Sequence, residues 1–64
     1  MNEETIARIE VEHDGSWRFF DEGLARTMEE ALELAGDVSM VTGCAVRVTW
    51  QGKVAISRIG QRAG

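Results

Sequence analysis

The sequence predicts an α+β domain of order β-β-α-β-β, a four-stranded antiparallel sheet with one helix packed across one face. Three observations predict it. Thr27 to Gly43 reads as a helix with both ends marked; the segments on either side alternate apolar with polar residues; and a short glycine-bearing turn splits each flanking pair of segments. All 64 residues, 1–64, are read as a single domain.

Residues 1–4 are polar, and the first strand is expected over about 5–12. There Ala7, Ile9 and Val11 share one face, and Ile6, Arg8, Glu10 and Glu12 share the other. His13-Asp14-Gly15-Ser16 is a turn cluster, in which Gly15 can adopt a positive φ. A second strand over about 17–20 places Trp17 and Phe19 in the core, with Arg18 and Phe20 on the opposite face. Asp21-Glu22-Gly23 is read as a strand break, and Leu24 or Ala25 as a clamp on the entry to the helix.

The helix is expected over about 28–42. Thr27 can cap its N-terminus while Glu30 reaches back to the cap's N–H, and Gly43 can close the C-terminus in a left-handed conformation. At 100° per residue, Met28, Ala31, Leu32, Leu34, Ala35, Val38 and Val41 form one apolar arc. Glu29, Glu30, Glu33, Gly36 and Asp37 form the opposite arc, with Met40 as its one apolar member. Gly36 weakens the helix by roughly 1 kcal/mol relative to alanine.

The closing hairpin is expected over about 44–50 and 53–59, around Gln51-Gly52. Cys44, Val46, Val48 and Trp50 alternate with Ala45, Arg47 and Thr49. A two-residue loop would pair Val48 with Ala55 and leave Val54 and Ile56 beside Thr49 and Arg47. A loop longer by one residue, with a bulge at Gly52, would move Val54 and Ile56 to the face of Val46, Val48 and Trp50. Burial of the larger apolar set favours the longer loop. Gly60 to Gly64 form a polar tail containing Arg62.

The segments HDGSWRF, TMEEALELA and GCAVRVTWQGKV together resemble a family of small bacterial and phage ββαββ domains of unknown function. The matching positions are Asp14, Gly15 and Trp17 in the first hairpin, Thr27, Glu30 and Ala31 in the helix, and Gly43 and Gly52 around the second hairpin. The resemblance implies a fold and no activity.

Composition narrows the function classes. A chain this short buries only about 60% of its unfolded surface, so it relies on good packing, a staple or a partner. Cys44 is the single cysteine, which excludes an internal disulfide; together with His13, the single histidine, it falls short of four N/S zinc ligands. Self-association as a homodimer is therefore one expected means of stabilisation. An unpaired cysteine fits a reducing compartment. With no apolar run near the roughly 18 residues of a membrane span and an acidic Met1-Asn2-Glu3-Glu4 start, the expected location is cytoplasmic, with no membrane partner. Eleven acidic against seven basic residues give a net charge of −4, which opposes general attraction to nucleic acid.

No cofactor, metal or catalytic constellation is expected. His13 and Cys44 lack a third group to orient the imidazole. Two surfaces are candidates for binding. The acidic helix face comprises Glu29, Glu30, Glu33 and Asp37, with Met40 among them; its like charges at i,i+4 repel mildly, which suits a basic partner. The outward sheet face gathers Arg8, Arg18, Phe20, Arg47 and Thr49, with Arg58 near by. Arginines beside an aromatic suit docking of a protein, or stacking of single-stranded nucleic acid. Trp17 and Trp50 are assigned to the core, with Trp50 a contact anchor if it lies at a hairpin tip.

The leading expectation is a non-enzymatic protein-interaction module, in its sharpest form a phage- or prokaryote-encoded inhibitor of anti-CRISPR type. It would act through the acidic helix face or the sheet face. The alternative is a single-stranded nucleic-acid-binding domain that uses the arginine-bearing sheet face.

Overall fold

Two dipeptides bend the chain into its hairpins. Asp14 and Gly15 have φ of 54° and 78°, and Gln51 and Gly52 have φ of 49° and 76°. Two successive positive φ values define the turn whose twist matches that of antiparallel strands. In the computed structural model, which describes residues 3–58, these turns join β1 (Thr5–His13) to β2 (Ser16–Ala25) and β3 (Val46–Trp50) to β4 (Lys53–Ser57). Helix α1 (Met28–Thr42) connects the hairpins, and the antiparallel sheet has the order β2-β1-β3-β4. The predicted α+β, ββαββ architecture is the one observed.

The tight second turn overturns the favoured register. Val48 pairs with Ala55, Thr49 with Val54 and Arg47 with Ile56. Gln51 itself takes the positive φ, so no extra residue enters the loop, and Val54 and Ile56 fall on the face away from the helix. Strand β3 starts at Val46, two residues later than expected, because Gly43 and Cys44 belong to the turn out of the helix. Strand β4 ends at Ser57; Ile59 and the Gly60–Gly64 tail lie outside the described residues.

Strand β2 departs further from expectation. It runs without a break through Asp21-Glu22-Gly23 to Ala25. The break is replaced by a bulge: Ile9 pairs with Asp21 but Glu10 pairs with Phe19, which leaves Phe20 without a partner. Side chains in a strand alternate with period two, so one extra residue reverses the phase of everything beyond it. Ala25, Gly23 and Asp21 share the helix side with Ala7 and Ile9, whereas Phe19 and Trp17 are carried to the opposite face with Glu10 and Glu12. The expected core placement of Trp17 and Phe19 is therefore incorrect. Arg18, paired with Val11, moves to the helix side.

The helix boundaries follow from their caps. The Thr27 Oγ1 accepts the Glu30 N–H at 3.1 Å, and Gly43, at φ 72°, donates its N–H to the Ser39 carbonyl at 2.8 Å. The Glu30 carboxylate reaches one residue beyond the cap, accepting the Arg26 N–H at 2.7 Å. Along the seam toward the sheet lie Ala31, Ala35 and Ser39, all buried, with Met28, Leu34 and Val38 at its margins. Small residues along this seam bring the helix axis close to the sheet, nearest to β3. Gly23 contributes to the same approach, since a Cβ there would lie 3.1 Å from Leu34 Cδ1. The apolar arc is narrower than expected: Leu32 stands at the exposed margin and Val41 is 83% exposed.

Ala7, Ile9, Ala25, Val46, Val48 and Trp50 supply the sheet's half of the core. Trp50 is buried as expected, and its indole N–H donates to the Ala25 carbonyl at 3.0 Å, tying the end of β3 to the end of β2. Ser39 satisfies its buried hydroxyl by donating to the Cys44 carbonyl at 2.8 Å. No buried side-chain nitrogen or oxygen among the described residues lacks a partner.

Two substitutions test this packing. Nothing lies within 4 Å of a Cβ built at Gly36, so Gly36→Ala should stabilise the fold by about 0.5–1 kcal/mol through helix propensity alone. Trp50→Phe leaves the Ala25 carbonyl unpaired and shrinks the core, and should destabilise by about 2 kcal/mol. Thermal denaturation followed by far-UV circular dichroism reads both, at roughly 4–8 °C per kcal/mol for a chain of this size.

Candidate docking surface

The face of the sheet opposite the helix is assembled rung by rung from the strand registers. Its central rung reads Phe19–Glu10–Arg47–Ile56 across β2, β1, β3 and β4. The adjacent rung reads Glu22–Arg8–Thr49–Val54, and beyond it Leu24 lies beside Ile6. Toward the Asp14-Gly15 turn, Trp17 stands beside Glu12, whose N–H donates to the Ala45 carbonyl at 2.9 Å. Among the described residues no second layer covers this face, and Ile6, Phe19, Leu24, Val54 and Ile56 are each between 50% and 59% exposed. These apolar side chains stand as the neighbouring pairs Leu24–Ile6 and Val54–Ile56 and as Phe19 at the β2 edge, around the polar middle of the face.

The centre of the face is polar and internally matched. Arg47 donates from both Nε and Nη2 to Glu10 Oε1, each at 2.8 Å. The side chains are only 32% and 15% exposed, so the pair is partly removed from water and its charge-assisted bonds are strengthened. The Arg47 guanidinium also lies over the Trp17 ring, with Cζ 4.8 Å from the centroid; Arg8 lies over Phe19 at 5.3 Å. Each such contact contributes about 0.5–1 kcal/mol at an exposed site and orders two side chains at once.

The candidates read from the sequence are distributed as follows. Arg8, Arg47 and Thr49 stand on the open face. Arg18 is on the helix side with Val11, Phe20 is the unpaired residue of the bulge, and Arg58 follows the end of β4. Phase reversal at the bulge removed Arg18 from the face and brought Trp17 and Phe19 into it. Ile6, Leu24, Val54 and Ile56 complete its apolar part. The tight Gln51-Gly52 turn was the sequence signal for Val54 and Ile56; nothing comparable marks the bulge.

On the helix, Glu29, Glu30, Glu33 and Asp37 are all exposed, and Met40 is 73% exposed among them. Glu30 is engaged in capping, and Glu29 lines a shallow depression with Leu32 and Glu33. The His13 imidazole lies 3.4 Å from the Asp14 carboxylate, while the half-buried Cys44 Sγ approaches the Thr42 carbonyl at 3.6 Å. Among the described residues, no group of three or more His, Cys, Asp or Glu residues is placed to hold a metal ion, and no helix is long and apolar enough to cross a membrane.

In comparison with known proteins, no family model, no curated protein and no solved structure matches the chain.

The central pair yields a stability test. Arg47→Met leaves the Glu10 carboxylate half-buried without its partner and removes the Trp17 contact, and should destabilise by about 1–2 kcal/mol in urea denaturation. Arg8→Met removes one exposed ring contact, and should cost no more than about 0.5 kcal/mol. Equal losses would mean that the Glu10–Arg47 pair has no special weight in this face.

Proposed function

We propose that the chain is a non-enzymatic protein-binding module whose docking surface is the open face of the sheet. The observation that carries this reading is the set of five large apolar side chains, each at least half exposed, arranged around an arginine already held by a carboxylate and an aromatic ring. Protein interfaces are enriched in aromatic residues and arginine. A centre whose rotamers are already fixed also loses less side-chain entropy on binding.

The same geometry argues against the nucleic-acid alternative. Base stacking needs free ring faces and phosphate binding needs free cations. The Trp17 and Phe19 rings each carry a guanidinium, and the Arg47 charge is neutralised by Glu10. The net charge of −4 adds no favourable long-range field. The narrower expectation, a phage- or prokaryote-encoded inhibitor of anti-CRISPR type, would act through the sheet face or through the acidic helix face. Glu29, Glu33 and Asp37 make no ion pair among the described residues, but Met40 is the one exposed apolar side chain among them, against five on the sheet face.

The experiment compares two sets of substitutions in a tagged chain used to retain bound protein. Leu24→Ser with Val54→Ser should abolish retention of any defined species, copies of the chain included. Charge reversal at Glu29, Glu33 and Asp37 should leave it intact. The opposite pattern moves the site to the helix. A salt-dependent shift of labelled single-stranded RNA that is lost in Arg8→Ala and Arg47→Ala would replace the reading with the alternative.

A further inference from the structure

We propose that the occupant of the open face is a second copy of the chain, related to the first by a two-fold axis that runs along the strands between β1 and β3; this rests on the reading of that face as a docking surface. The inference comes from the order of side chains across the sheet. Such an axis reverses the rung Phe19–Glu10–Arg47–Ile56 and lays it over itself. Phe19 of each copy then meets Ile56 of the other, and the Glu10 carboxylate of each copy stands over the Arg47 guanidinium of the other.

A two-fold interface must be self-complementary, since the same patch serves both subunits. This rung meets that condition in both polarity and charge. Its two apolar ends exchange places on rotation, and so do its two opposite charges. An interface with a foreign protein imposes no such symmetry. The rung also lies near the middle of the face, where the crossing of twisted sheets at about −30° displaces opposed residues least.

Strands spaced by about 4.8 Å and rising about 3.3 Å per residue give the four-stranded face roughly 450 Å² in projection, and more over the relief of its side chains. In projection this is a little more than half of the about 800 Å² that each partner contributes to an interface of standard size, the range of a weak dimer that forms at high micromolar concentration. Stacking the two sheets also gives the open face an apolar cover that the described residues do not supply. In the resulting dimer the acidic helix faces point outward on opposite sides.

Sedimentation with complementary variants tests the arrangement. The wild-type chain should sediment as a dimer at about 100 μM, and Phe19→Lys and Ile56→Glu should each give a folded monomer at that concentration. An equimolar mixture of the two variants should recover the dimer, because the two introduced charges meet across one contact while the other keeps its original Phe19 and Ile56. A monomeric wild type, or variants that remain monomeric when mixed, overturns the two-fold arrangement. If the wild type is monomeric yet retains a foreign protein that Leu24→Ser with Val54→Ser releases, the second copy is excluded and the docking face stands. If both sedimentation and retention are indifferent to the substitutions in this face, both readings fall.

Discussion

One unpaired residue in β2 determines what the protein presents to its surroundings. Phe20 enters the strand without a partner, and the alternation on either side of it is thereby set out of phase. Between Asp21 and Ala25 the strand turns small or polar groups toward the helix, where Leu34 needs the space above Gly23. Between Ser16 and Phe19 it turns its two aromatic rings to the opposite face. A regular strand would have turned Trp17 and Phe19 to the helix side, where the neighbouring positions on that side, Arg18 and Asp21, are exposed. The bulge thus decides which face of the sheet carries the two rings.

Excluding the rings from the core has a consequence on the other side. An aromatic ring on an open sheet face remains in water unless something covers it, and here the cover is partly supplied by arginine. Arg47 is held simultaneously by Glu10 and Trp17, and Arg8 by Phe19. These contacts reduce the exposed ring area without hiding Ile6, Leu24, Val54 or Ile56. The face is left ordered at its centre and apolar at its margins. That distribution suits a partner with the same sequence of groups read in reverse.

Much of the fold was legible because its signals are local. Thr27 and Gly43 mark a helix by the hydrogen bonds that their own backbone and side chains make. The Asp14-Gly15 turn likewise depends on φ values that few other residues adopt. What was not legible depends on competition between distant groups. The bulge at Phe20 leaves no mark in the alternation of β2, because Trp17 and Phe19 share a parity with Gly23 and Ala25. The closing hairpin shows the reverse case. Burial of Val54 and Ile56 argued for a longer loop, but turn geometry at Gln51-Gly52 prevailed and left both side chains outside. The open face was consequently underestimated: two of its arginines were read correctly as outward, while most of its apolar residues were assigned to the core.

The central claim is that Trp17 and Phe19 belong to the face away from the helix. Proton–proton nuclear Overhauser contacts in the isolated chain test it most directly. The account predicts contacts from the Trp17 ring to Arg47 and from the Phe19 ring to Arg8 within a single chain, with none from either ring to Ala31, Leu34 or Ala35. Contacts from those rings to the helix methyl groups would contradict it, since they would require β2 to run without the bulge and the open face to lose its aromatic half.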